Sequence, residues 1–297
     1  MPTFTLVSFN AHGGLHPRRN GVCRPYDLAS VLERFDTDVI VVQESWWPDG
    51  GTAAVDDVAA TLGAQVFALP FGRGTLHPWP HVPRDGIGHG TVGLAVITRL
   101  PARLVARLPV GRVLGDPAPE RGALHLELVV GGTTVDLVGL HLTSRLPHGP
   151  PIQLRRLARQ LPTRGPAVVT GDCNFWGPGV RALLPGWRRA VRGRTWPAVM
   201  PHSQIDHILV RSEVGVVDSQ VLPDVGSDHR PVRATLSVGP RRPGAESGKV
   251  AASGERLRRD AGRGGAVVAH HDHRRTDDGD STPPIGKDRG LGVLTRG

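Results

Sequence analysis

QIDHILVRSEVGVVDSQVLPDVGSDHRPV, residues 204–232, decides how this chain is built. A strand-like run at 205–210 is followed, after a short polar break, by a second at 214–221. Ser227-Asp228-His229 then precedes a third run at 231–238. Asp206 lies inside the first run, where an inward carboxylate is costly unless it is paired. Strand ends that carry polar chemistry are therefore the pattern to look for elsewhere.

The same pattern recurs upstream. Asn10 ends the run 3–9, Gln43-Glu44 ends 38–42, His141 falls at the end of the run 133–142, and Gly171-Asp172-Cys173-Asn174 follows 167–170. Further strand candidates are 65–69, 91–98, 102–108 and 123–130, and Gly131-Gly132 marks a hairpin between two runs. Apolar residues at helical spacing mark three helices: Leu28, Val31, Leu32, Phe35; Val55, Val58, Ala59, Leu62; and Leu154, Leu157, Ala158, Leu161. Each has one apolar face, so each covers a sheet from outside. Eleven strands with few helices predict an α/β fold of four layers, two mixed β-sheets packed face to face with helices outside.

Alternation with a period of two puts Asn10 on the face of Phe4 and Leu6, Glu44 on that of Ile40 and Val42, and His141 on that of Val135 and Leu137. Each polar residue is expected to end an apolar, inward-facing row at the rim of the inter-sheet core. Any one signature alone reads as turn chemistry, and a lone His141 as a core histidine. Together they supply the carboxylates, amides and imidazoles that metal-assisted phosphate ester hydrolysis requires.

The chain has 297 residues, 39% of them hydrophobic, enough for a real core. Past Val238 the composition turns to Gly, Arg, Asp and Ser, so the expected division is a catalytic domain at 1–239 and a disordered tail at 240–297. The net charge of +9 favours polyanionic partners. Residues 240–297 hold 12 basic and 8 acidic residues, +4, which leaves +5 on the domain. Both lysines, Lys249 and Lys287, lie in the tail, so every basic residue of the domain is Arg. Its planar fork suits phosphate, although a genome-wide composition bias explains the same usage. Cys23 and Cys173 form no disulfide framework, and there is no apolar run of membrane-spanning length and no leader-like N-terminus. A cytoplasmic monomer is the expectation.

SFNAHG (8–13), VVQES (41–45), VGLHLTS (138–144), VVTGDCNF (168–175), QIDHILV (204–210) and GSDHRPV (226–232) together resemble the endonuclease/exonuclease/phosphatase family, in family order and across the whole domain. The resemblance implies a phosphoester hydrolase using Mg²⁺, with Glu44 as the direct metal ligand, Asn10 beside it and Asp228 as a further contact. Asp172 would orient or deprotonate the attacking water, Asn174 would donate to the phosphate, and Asp206 would fix the tautomer of His229. His141 places the resemblance in the two-histidine branch, with deoxyribonuclease I and sphingomyelinases rather than abasic-site enzymes. Arg121 matches a phosphate-contacting arginine. His12 stands where abasic-site nucleases carry Asp; it would contact phosphate or shift the preference toward Mn²⁺.

A nuclease acting on nucleic acid is the leading expectation. A lipid or small-molecule phosphoesterase is second, with membrane lipid as the partner, and a noncatalytic nucleic-acid-binding module is the third reading. No protein partner is inferred. Trp46-Trp47 reads as packing before stacking on a substrate, and Arg155, Arg156 and Arg159 as a solvated helix face. The Gly- and Pro-rich stretch 71–90, with His77, His81 and His89, reads as a substrate loop.

Overall fold

The computed structural model describes residues 1–16, 24–75, 89–116 and 121–239. Strands β1 (Thr3–Asn10), β2 (Val39–Pro48), β3 (Gln65–Thr75), β4 (His89–Thr98), β5 (Ala102–Pro109) and β6 (Gly122–Val130) fill most of the first half. They are followed by β7 (Thr133–His141), β8 (Ala167–Asp172), β9 (Arg188–Arg189), β10 (Asp206–Val210), β11 (Val214–Val221) and β12 (Val232–Val238). Helices α1 (Leu28–Arg34), α2 (Ala54–Thr61), α3 (Gly149–Ala158) and α4 (Gly177–Leu183) lie between them. The strands form two six-stranded sheets, in the orders β11-β12-β1-β2-β4-β3 and β5-β6-β7-β8-β10-β9. Both are mixed: β1 runs parallel to β2 and β7 parallel to β8, while the other pairs are antiparallel.

Side-chain alternation divides the apolar residues into three cores. Phe4, Leu6, Val41, Val96, Leu126, Leu137, Val168, Ile208 and Leu236 come from both sheets and fill the space between them. Val7, Phe9, Ile40 and Val42 turn the other way and pack under α1 and α2. Val138, Leu140, Val169 and Leu209 pack under α3 and α4. Burying each such side chain contributes about 2 kcal/mol relative to exposure. The four-layer α/β sandwich is thus the observed architecture.

Several expectations are corrected. Strand β9 is a two-residue addition that no period could reveal. Helix α4 begins Gly177-Pro178-Gly179 and is seven residues long, too short to show an apolar face. Helix α3 starts at Gly149, earlier than its apolar spacing marked. Part of the expected 71–90 loop is strand: Phe71 extends β3, and His89 opens β4. His77 and His81, together with Cys23 and the expected tail at 240–297, lie outside the described residues. No helix among the described residues is long and apolar enough to cross a membrane.

The expected face of Glu44 is the most instructive correction. Ile40 and Val42 face the helices, so strict alternation would send Glu44 away from the inter-sheet space. A bulge intervenes: Gln43 pairs with Leu94 and Ser45 with Gly93, which leaves Glu44 as the extra residue, at φ 52°. The bulge re-aims the side chain toward the rim where the sheets meet.

Candidate active site

One end of the sandwich gathers the polar strand ends around Asp172, which is almost completely buried. It lies on the same face of β8 as Val168, a member of the inter-sheet core. Asn10, on the matching face of β1, donates from Nδ2 to Asp172 Oδ2 at 3.0 Å and to Glu44 Oε1 at 3.4 Å. The side-chain Oδ1 of Asn10 accepts the backbone N–H of His12 at 3.0 Å. In this arrangement Asn10 offers its amide hydrogens to two carboxylates, and its own oxygen is already engaged. It acts as a spacer between acidic groups.

Asn174 reaches the same carboxylate from the other side. Its backbone N–H donates to Asp172 Oδ1 at 2.7 Å, and its Nδ2 donates to Leu142 O at 2.9 Å and Asp172 Oδ2 at 3.3 Å. That Nδ2 also lies 3.4 Å from His141 Nε2. The turn that permits this holds Asn174 at φ 46°. His12, Glu44 and Asn174 all occupy the left-handed region, which costs a non-glycine residue of order 1–3 kcal/mol and concentrates at functional sites.

The two histidines differ in environment. Both oxygens of Asp206, on β10, receive His229 Nδ1, at 2.9 and 3.1 Å. Asp206 is itself held in place by its backbone N–H, which donates to Thr195 Oγ1. Burial alone would lower the pKa of His229, but Asp206 and then Asp172 outweigh it and push the imidazole well above its usual value. His229 Nε2 stands 3.8 Å from Asp172 and 4.0 Å from Asp228. His141 is pushed well below the usual value by burial, then by the charges of Arg121 and His229. Its Nε2 lies 3.6 Å from Asp172 and 3.9 Å from Glu44, and its buried Nδ1 has no hydrogen-bond partner among the described residues. The two imidazoles are thus biased in opposite directions, His229 toward its cation and His141 toward its neutral form. Asp172 is raised to about 7 by burial and by Asp206, against the lowering effect of His229.

Ser227 closes the bottom of the site: its Oγ donates to Asn10 O at 2.6 Å and accepts the His229 backbone N–H at 3.2 Å. Asp228 accepts from Trp196 Nε1 at 3.4 Å. His12 directs Nδ1 at Leu15 O, 3.0 Å away, and lies 4.0 Å from Asp228. Arg121 stands further back, paired with buried Asp116 at 2.9 Å and stacked over Phe71, whose ring faces His141. Its guanidinium Nη1 is buried without a partner among the described residues.

The structure therefore brings Asn10, Glu44, His141, Asp172, Asn174, Asp206, Asp228 and His229 together, with His12 at the edge and Arg121 behind His141. Reading the sequence missed Ser227 Oγ as the tie to Asn10, Thr195 as the support of Asp206, and the bulge at Glu44. Trp46 and Trp47 are half-buried, Trp47 against the α1/α2 core. Arg156 bonds the carbonyls of Val110 and Arg112, a structural use.

Asp172, Asp206 and His229 each offer an atom within 4.8 Å of the others, a buried group that could hold a metal ion. His229 is the weak member, because Asp206 engages its Nδ1 and favours the protonated ring. A hard divalent cation prefers carboxylate oxygens to such a ring, and Asn10 Nδ2 links the carboxylates of Glu44 and Asp172. Burial, and then the charge of Asp206, hold Asp172 up at about 7, and a cation bound beside it would act against both.

Comparison with known proteins identifies the family and the fold. The model of the Endonuclease/Exonuclease/phosphatase family matches residues 7–229. An endonuclease/exonuclease/phosphatase from Beutenbergia cavernae superposes with a TM-score of 0.60 at 20% identity, covering 80% of this chain and 72% of its own. D. rerio TDP2, complexed with single strand DNA product, gives 0.55 at 17% identity, covering 80% and 99%. A mannosyl-6-phosphatase of Bacteroides thetaiotaomicron gives 0.53 at 15% identity, covering 79% and 99%. At these identities the likeness is one of fold. No curated protein matches the chain in sequence.

Proposed function

The chain belongs to the endonuclease/exonuclease/phosphatase family, and from that premise we propose that it is a Mg²⁺- or Mn²⁺-dependent phosphodiesterase that hydrolyses nucleic acid. The observation that carries the reading is the position of Asp172, approached by Asn10 and Asn174 as donors and by His141 and His229 within 4 Å. Glu44 and Asp228 would hold the cation, with Asn10 spacing Glu44 from Asp172. Bound there, the metal supplies Lewis-acid stabilisation of charge on the phosphate.

The side chains divide the remaining work. Asp172, oriented by the Asn174 backbone N–H, accepts a proton from the attacking water as the water oxygen bonds to phosphorus. His229, kept cationic by Asp206, faces the developing charge and gives its Nε2 proton to the leaving oxygen as that P–O bond breaks. His141, neutral, and the Asn174 amide position a non-bridging oxygen. Arg121 biases His141 toward its neutral form from behind. His12 extends the donor set at the edge nearest Asp228.

Nucleic acid is favoured as substrate by the all-arginine basic complement of the domain and by the likeness to a fold solved with a single-stranded DNA product. A lipid or small-molecule phosphoesterase is the second reading, favoured by exposed apolar side chains on site loops, Leu146, Val199 and Met200. A noncatalytic binding module has no use for a buried cluster of two carboxylates and two histidines. The sequence-based expectation of a cytoplasmic monomer belongs to the same proposal.

The test is a Mg²⁺-dependent hydrolysis panel of plasmid, single-stranded DNA, RNA, sphingomyelin and sugar or inositol phosphates. Cleavage of a nucleic acid is the expected result. Turnover confined to lipid or phosphomonoester substrates would move the assignment to the second reading.

A further inference from the structure

Trp176 is 62% exposed although it stands two residues past Asn174. Large aromatic side chains seldom stay in water without a reason, and this one is held in place. Its ring meets Phe175 edge-on, with centroids 6.4 Å apart. Gly179 lacks the side chain that would collide with both rings: a Cβ there would sit 2.2 Å from Phe175 Cε1 and 2.9 Å from Trp176 Nε1. Packing thus fixes the orientation of the indole and leaves it open to solvent at the edge of the site.

Beside it lies a row of arginines. Arg189 on β9 turns its guanidinium against Gly177, the residue after Trp176; a Cβ on Gly177 would meet Nη1 at 1.9 Å. Its hydrogen-bond partner is a neutral amide, Gln204 Oε1, at 3.2 Å. Burial, then the charges of Arg192 and Arg181, lower its pKa. Arg181, Arg192 and Arg194 are exposed, and among the described residues no carboxylate pairs with any of the four. The row climbs toward the site. Arg189 pairs with Leu209 on β10, and the chain then passes Arg192 and Arg194 to Thr195, whose Oγ1 accepts the Asp206 backbone N–H at 3.3 Å.

We propose that Trp176 with Arg181, Arg189 and Arg192 forms a track for a single-stranded nucleic acid leading to Asp172, the indole stacking on an unpaired base and the arginines following the backbone phosphates. The inference rests on the phosphodiesterase reading and narrows its substrate. An exposed indole needs the free face of a base, which a duplex keeps stacked between its neighbours. Stacking platforms interleaved with positive charge are how strands are held without sequence preference. Arginines in a row without a carboxylate partner match a backbone carrying one charge per nucleotide.

The experiment titrates the full chain, with Mg²⁺ present, against a labelled single-stranded phosphorothioate oligonucleotide, its duplex, and anionic phosphatidylglycerol vesicles. The wild type is expected to bind the single strand more tightly than the duplex. Trp176→Ala should weaken strand binding about tenfold, and Trp176→Phe should recover part of it, which a misfolded variant would not show. Joint replacement of Arg181 and Arg192 by Ser should flatten the salt dependence of strand binding by a slope of about 1.4. Strand affinity and salt slope equal to wild type in these variants would overturn the track. So would a Trp176→Ala loss seen only on vesicles, which would give the surface to lipid headgroups. Binding that depends on Trp176 without hydrolysis of the unmodified strand would sink the catalytic reading and leave the track standing.

Discussion

The side-chain amide of Asn10 donates to the carboxylate of Asp172 across 162 residues of chain, at 3.0 Å. This bond joins β1 of one sheet to β8 of the other at the mouth of the sandwich. Without it Asp172 would face Glu44 and Asp206 with fewer donors. Asn10→Ala should cost about 1–3 kcal/mol of stability, from the lost buried hydrogen bond, and lower kcat by about 10–100-fold. Asn10→Asp, which adds a carboxylate to the cluster, should lose more. Urea unfolding and steady-state kinetics check this; an Asn10→Asp enzyme with wild-type kcat would contradict it.

Glu44 is the carboxylate that the β2 bulge turns into the site. Glu44→Gln keeps the shape and removes the charge, so the Mg²⁺ concentration for half-maximal rate should rise by about tenfold or more, since losses of outer-shell partners alone run to about 10–100-fold. Chelation with EDTA should abolish turnover in the wild type. Superimposable metal titrations for the variant and the wild type would exclude Glu44 as a ligand.

Gly171 lies between Thr170 and Asp172 with φ 143°, and a Cβ there would sit 1.9 Å from Leu140 O on the parallel neighbour β7. Backbone cannot yield as a flexible side chain can. Gly171→Ala should destabilise the fold by about 2–4 kcal/mol. Gly132→Ala, in the β6–β7 hairpin at φ 81° with nothing within 4 Å of its Cβ, should cost only about 1 kcal/mol. Equal urea midpoints for the two variants would refute the close-approach explanation.

His207, adjacent to Asp206, is lowered to about 4 by burial, and its Nε2 donates to Phe175 O at 2.9 Å. Its folded pKa lies below the unfolded value of 6.5, so between the two only the unfolded chain takes the proton, and stability falls as pH drops from about 6.5 toward 4. Asp172, raised to about 7, acts in the opposite sense: it penalises the fold above that pH and gives stability back as pH falls. Comparing wild type with His207→Gln isolates the histidine. In EDTA, the variant should gain about 2 kcal/mol relative to wild type between pH 7 and pH 5. A difference that does not change with pH would mean that His207 takes a proton in the fold.

Much of the site was legible because its residues end strands in short motifs whose apolar partners fix their faces. Asn10 and His141 point where their strand periods put them, and the Asp206–His229 pair follows from an inward carboxylate that needs a partner. Glu44 was right in identity and wrong in face, because a one-residue bulge reverses the alternation and leaves no mark in composition. The opposite charge states of His141 and His229 depend on which carboxylates converge in space. Trp176 escaped notice because α4 is too short to show a period and the exposure of its neighbour depends on Gly179.

The most direct measurement is single-turnover hydrolysis of a phosphodiester with Mg²⁺ by wild type, Asp172→Asn and His229→Ala, each with its unfolding curve. Both variants should fold, and their rates should fall by about 10³-fold or more, as when a group acting in the transition state is removed. Wild-type rates in either folded variant, or hydrolysis by the native enzyme that persists in EDTA, would contradict it.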